Sequence, residues 1–120
     1  ARSIQRRAKL THFVRAIMAD VDVIVSPTTA VVTLSGSYPR VEVRESGAVY
    51  DNMDATPFTR IANLCQLPAI SVPAGYSTSG MPIGIHMMAR HGCDMQLLRV
   101  AKMIEGMVER VGNSFTMEPA

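Results

Sequence analysis

The sequence predicts an α/β fold, part of a mixed β-sheet flanked by helices. Segments of helical hydrophobic period stand near both ends, at 3–19 and 94–111. Short apolar and β-branched runs at 23–25, 69–72 and 83–88 lie between them. Proline and glycine mark the points where one period gives way to the other, which is the pattern of helices packed on strands rather than of a bundle or a sandwich.

From 3 to 19, Ile4, Ala8, Val14, Ile17 and Met18 approximate a 3.6-residue period, with Arg2, Arg6, Arg7, Lys9 and Arg15 mostly on the other side. This predicts an amphipathic helix. Asp20 and Asp22 flank a change of period, and Val23, Ile24 and Val25 form a continuous β-branched run stopped by Pro27. Such a run suits a strand covered on both faces, as in a parallel or mixed sheet. Across 31–53 no helical period survives, and Gly36, Pro39, Gly47 and scattered charges predict a long loop with one short strand near 41–43.

Thr56 is placed to cap, and Pro57 to open, a short helix marked by Phe58, Ile61, Leu64 and Cys65 and ended by Pro68. Ala69 to Val72 reads as a strand closed by Pro73 and Gly75. After the turn residues at 77–80, Ile83 to Met88 reads as its neighbour. Asp94 is the expected cap of a last helix in which Leu97, Leu98, Ala101, Ile104, Val108 and Val111 recur at helical spacing until Gly112. Three strands make a poor sheet and leave an edge open to pairing, so the expectation is a sheet that continues beyond this sequence. The helical pattern under way by Ile4, directly after Ala1, agrees with a chain that starts within a domain.

The chain has 120 residues, 48% apolar and 18% charged, which excludes a disordered segment. No apolar run approaches a membrane span, so no membrane partner is expected. The basic N-terminus has no apolar stretch behind it, and the default expectation is a cytoplasmic protein without a secretory signal. Cys65 and Cys93 lack the paired spacing of metal or disulfide sites and read as reduced, partly buried thiols. The net charge of +2 comes largely from Arg2, Arg6, Arg7, Lys9 and Arg15, a solvated helix face.

Three segments follow one another: Asp22-Val-Ile-Val-Ser-Pro-Thr-Thr29; then Phe58-Thr59 with Asn63-Leu-Cys-Gln-Leu-Pro-Ala-Ile-Ser-Val-Pro-Ala-Gly75; then Gly80-Met-Pro-Ile-Gly-Ile-His-Met-Met-Ala-Arg90. Their order and spacing, followed by Gln96 to Ala101 on the last helix, resemble the C-terminal end of amidase-signature enzymes over about 21–109. The resemblance implies that 1–120 is a C-terminal fragment of one such domain, with 31–53 a long loop within it. It implies a large mixed sheet wrapped by helices and hydrolysis of a carbon–nitrogen bond in a small-molecule amide, without metal or organic cofactor.

In that family a serine is acylated and relayed through a second serine to a lysine, all within an upstream Gly/Ser-rich core. That machinery has no counterpart in this sequence. Its only lysines are Lys9 and Lys102, each on a predicted helix, and no Gly/Ser-rich stretch contains adjacent serine candidates. No catalytic residue is therefore assigned, and this chain alone is not expected to hydrolyse amides. The resemblance places residues after the Pro-Thr strand end near the acyl group, making Thr28, Thr29 and Val32 the candidate substrate-binding wall. The plainer reading of the same residues is strand capping and core packing.

Two positions depart from the family: Gln66, where glycine is frequent in the turn, and His86, where glutamine is frequent. Thr56 stands where members that amidate transfer RNA carry an acid, seven residues before Asn63, and Asp54 is two residues away. A role in amidating transfer RNA is thus disfavoured.

Other constellations are weaker. A triad from Ser26 or Ser71, His12, His86 or His91, and Asp51 or Asp94 lacks a nucleophile-elbow pattern. Asp51 and Asp54 lack the company of a cation site, and the methionines read as adaptable core and interface filling. The basic first helix has no aromatic stacking set beside it, so no nucleic-acid partner is expected. The alternative function is a non-catalytic interaction or structural protein derived from an amidase, whose exposed sheet edge needs another chain. A homo-oligomer is one open arrangement.

Overall fold

A computed structural model describes residues 2–31, 34–35, 40–43, 49–51, 56–78 and 80–112. Helix α1 (Arg2–Ile17) is followed by strand β1 (Val23–Pro27) and by three short strands, β2 (Leu34–Ser35), β3 (Arg40–Val43) and β4 (Val49–Asp51). Helix α2 (Thr59–Cys65), strands β5 (Ala69–Tyr76) and β6 (Pro82–Ala89) and helix α3 (Asp94–Gly112) complete it.

The main sheet has the order β1-β6-β5, and both pairings are antiparallel. The parallel or mixed sheet anticipated from the β-branched run is therefore not what these strands form. Strand β1 lies on an edge, and Val25 is 57% exposed, not covered on both faces. The reason is positional: α3 packs over β5 and β6, which leaves the outer strand open on that side. A β-branched run reports strand preference, but it does not report how many layers surround the strand.

Strand alternation divides the core in two. Ile85, Met87 and Ala89 of β6 point to one face, where Val72, Leu97 and Ala101 join them under α3. Ile24 and Met88 point to the other, where Val14, Met18, Ala62 and Cys65 close over them from α1 and α2. Helix α1 and the turn after it join this core through Leu10, Val14 and Met18, successive i, i+4 positions of one line. Ile4 and Ile17, expected on the buried face, are consequently exposed. On α3 the buried line is Leu97, Ala101 and Ile104, while Leu98 is exposed.

Strand β5 runs through Pro73 rather than stopping there. A bulge between Pro73 and Gly75 absorbs one extra residue, and Gly75 takes a φ of 125°, accessible to glycine without strain. Helix α2 begins at Thr59, and Phe58 just before it makes no side-chain cap hydrogen bond. The carbonyl of Thr56 accepts from Thr59 Oγ1 and Arg60 Nε at 3.4 and 3.2 Å. The helix ends in a left-handed Gln66, after which Leu67 N–H donates to Ala62 O.

Within 31–53, β2, β3 and β4 form a second antiparallel sheet in that order, with β3 covering the position at which a short strand was expected. Strands of two to four residues are too short to show a readable period in sequence. The expected loop residues at 32–33, 36–39, 44–48 and 52–53 lie outside the described residues.

Candidate functional site

One face of the main sheet carries a polar row. The register sets Ser26 of β1 and Ser71 of β5 directly opposite His86 of the central strand. Opposed residues share a face, so the three side chains lie side by side. Thr28, two positions after Ser26, keeps the same orientation, and its N–H donates to Gly84 O at 2.9 Å. The backbone ladder thus extends one residue beyond Pro27.

Ser26 Oγ and His86 Nδ1 are joined by a hydrogen bond of 3.2 Å. Burial holds the imidazole below its ordinary pKa, which favours the neutral ring. Among the described residues no carboxylate bonds this ring, and Ser26 lies in a strand rather than on an exposed turn. Within the described residues the pair has neither the orienting acid nor the exposed-turn serine that serine hydrolysis requires. Of the other triad candidates, His12 is on α1 and Asp94 opens α3, outside this row, and the side chain of Asp51 lies outside the described residues. The arrangement is a satisfied buried histidine.

Thr28 Oγ1 and Ser71 Oγ form a second hydrogen bond, 2.5 Å long, across the central strand. They meet there because Gly84 lies between them. A Cβ on Gly84 would sit 2.5 Å from Thr28 Oγ1 and 3.0 Å from Ser71 Oγ. An isolated glycine inside a strand is the sequence signal of such a close approach, but it does not name the partners. Thr29 Oγ1 donates to Val31 O at 2.8 Å. Thr28 and Thr29 therefore sit together at the strand end, with both hydroxyls engaged inside the chain. Val32 lies outside the described residues.

A separate groove of about 430 Å³ runs between α1 and the end of α2, with Arg7, His12 and Arg15 on one wall and Cys65 and Gln66 on the other. Arg7 Nε donates to Leu64 O at 2.8 Å, so one member of the basic cluster serves the negative end of a helix. Cys65 and Cys93 are free thiols, the first buried and the second partly so. No helix among the described residues is long and apolar enough to cross a membrane.

Similarity to known proteins fits the shape of this piece. A mitochondrial glutamyl-tRNA(Gln) amidotransferase subunit of Homo sapiens is 39% identical over 105 residues, which cover 87% of this chain and 19% of that protein. The Mus musculus protein of the same name is 38% identical over the same shares. The chain thus spans about a fifth of the relatives it matches. Among solved structures, a glutamyl-tRNA(Gln) amidotransferase subunit from Thermotoga maritima superposes with a TM-score of 0.67 at 28% identity, covering 87% of this chain and 21% of that one. A chain from a vestigial protein complex, described as revealing the origins of an s-triazine catabolic enzyme, superposes at 0.73 with 22% identity, covering 88% and 23%. It shares the fold. The family model described as Amidase matches residues 1–98, and the chain belongs to the amidase-signature family as a fragment of its domain.

Proposed function

We propose that the full-length protein hydrolyses a carbon–nitrogen bond in a small-molecule amide, and that this segment supplies strands of a larger mixed sheet and one wall of the substrate pocket. The observation that carries the proposal is the family match over residues 1–98. The open outer edge at β1, with Val25 exposed, supports continuation of the sheet in the rest of the protein. Chemistry belongs to a serine–serine–lysine relay outside this sequence, since Lys9 and Lys102 stand on α1 and α3, away from the polar row. The role of Thr28, Thr29 and Val32 is to shape the wall; the hydroxyls of the two threonines are used within the chain.

Ammonia release from a panel of simple amides tests the proposal. The intact protein is expected to release it and the 120-residue chain alone to release none. An intact protein that turns over no amide, or an upstream sequence without two serines and a lysine in a Gly/Ser-rich core, overturns it. This reading takes a cytoplasmic protein with no metal, organic cofactor or nucleic-acid partner.

A second reading is favoured by the 39% identity to a glutamyl-tRNA(Gln) amidotransferase subunit. Against it stands Thr56, where an acid is expected for holding the amine of glutamine. Glutamine-dependent transfer of ammonia to a second substrate, absent with simple amides, would replace the first reading with this one. The non-catalytic alternative gains support only if the 120-residue chain sediments as a defined oligomer and the intact protein is inert.

A further inference from the structure

The outer strands of a three-stranded sheet lie two strand spacings apart, about 9.6 Å, too far for short side chains to meet if the central strand carries a side chain between them. Thr28, at the end of β1, and Ser71, on β5, nevertheless bond directly over Gly84. Three strands are thereby tied at one point. Thr28 N–H is also bonded to Gly84 O, so both its backbone and its side chain are fixed to the sheet. Thr29, the next residue, lies past the end of β1 and bonds within its own segment, through its hydroxyl to Val31 O.

We infer that Ser71 is a positioning residue for the amide pocket: its hydroxyl, reaching across Gly84, holds Thr28 and sets the direction in which residues 29–31 continue past the strand end. The inference rests on the amidase reading and deepens it. Ser71 does not touch substrate; it acts through Thr28. Its effect falls on how well the acyl group is accommodated and not on the bond-breaking step, since the relay lies elsewhere in the domain. Loss of a hydrogen bond of this kind is worth a few-fold in an equilibrium, and its signature is a change in KM rather than in kcat.

The test uses the full-length protein, with initial rates of ammonia release over a series of straight-chain aliphatic amides. Ser71→Ala is expected to raise KM for the preferred amide roughly three- to ten-fold and to flatten the chain-length preference, with kcat changing less than about two-fold. Ser71→Thr, which keeps a hydroxyl, restores the preference. Thr28→Val keeps the shape, loses the bond and shifts KM in the same direction, and the Ser71→Ala change adds nothing in its presence. A wild-type protein that hydrolyses amides while Ser71→Ala leaves KM and chain-length preference untouched overturns the inference and leaves the amidase reading standing. A fall in kcat alone, at unchanged KM, reports lost folded enzyme and also overturns it. A wild-type protein that hydrolyses none of the amides overturns both.

Discussion

Ser26 and His86 face each other across β1 and β6, Oγ to Nδ1 at 3.2 Å, with the histidine 3% exposed. Burial lowers the imidazole pKa below 6.5, while the unfolded chain keeps the ordinary value. Above 6.5 both states are neutral and the histidine adds no pH dependence. As pH falls through 6.5 the unfolded state takes up its proton first, so stability declines, and the decline ends once pH passes below the lowered folded value. Urea unfolding between about pH 8 and about pH 5 is expected to show this loss, and His86→Gln to remove its share. Parallel stability curves for the two proteins would mean that the histidine is not buried as a neutral ring.

Gln66 closes α2 with φ 54° and ψ 46°, the only non-glycine residue at positive φ among those described. A residue with a Cβ carries a penalty of about 1 kcal/mol in this conformation, which glycine avoids. Gln66→Gly is expected to raise stability by roughly 0.5–1 kcal/mol, read as a higher urea midpoint at unchanged slope. A lower midpoint would show that Gln66 makes a contact worth more than its backbone strain.

Arg90 and Asp22 pair at 3.0 Å, joining the end of β6 to the approach of β1, but both side chains remain largely in water. Asp22→Asn is therefore expected to cost roughly 0.5 kcal/mol or less at low salt and nothing measurable at high salt. A loss above about 1 kcal/mol that persists in salt would assign this pair a larger role in fixing the β1–β6 register.

What the sequence revealed follows from which signals are local. Proline and glycine fixed the α2–β5 connection and the β5–β6 pairing, because their restrictions act on the neighbouring peptide whatever surrounds it. The coverage of β1 was not legible, since Val23, Ile24 and Val25 look the same in an edge strand and a buried one. Ile4 and Ile17 fit a helical period equally well, yet Val14 is the buried residue of α1 and both isoleucines are exposed. At the site, Thr28 and Thr29 were legible as a strand end. Ser71 was visible only as a serine in a strand, because its partner lies 43 residues away and their meeting depends on Gly84.

Methionine content alone does not separate core from surface, but the fold does. Met87 is fully buried between β6 and α3, whereas Met103, on the same helix α3, is exposed. Met87→Ala is expected to cost roughly 2–5 kcal/mol, and Met103→Ala less than about 0.5 kcal/mol. Thermal unfolding of the two variants checks the contrast. Comparable losses would place Met103 against a further part of the protein that covers α3.

Gly84 offers the sharpest steric test. An added methyl would meet Thr28 Oγ1 at 2.5 Å, Ser71 Oγ at 3.0 Å and Thr28 Cβ at 3.1 Å. Two of the three contacts belong to Thr28, whose backbone is held by Gly84 O, so the side chain cannot simply swing clear with its strand. Gly84→Ala is expected to destabilise by roughly 1–3 kcal/mol, the range of overpacking. Thr28→Ala alone removes one hydrogen bond, about 1 kcal/mol, but it also removes the nearest of the three clashes. The double variant should therefore lose less than the sum of the two singles, by about 1 kcal/mol or more, because the two remaining contacts, with Ser71 Oγ and Thr28 Cβ, relax with shifts of a few tenths of an ångström. Additive losses would mean that the strands part at Gly84 instead of crowding there, and that the Thr28–Ser71 bond does not tie them together.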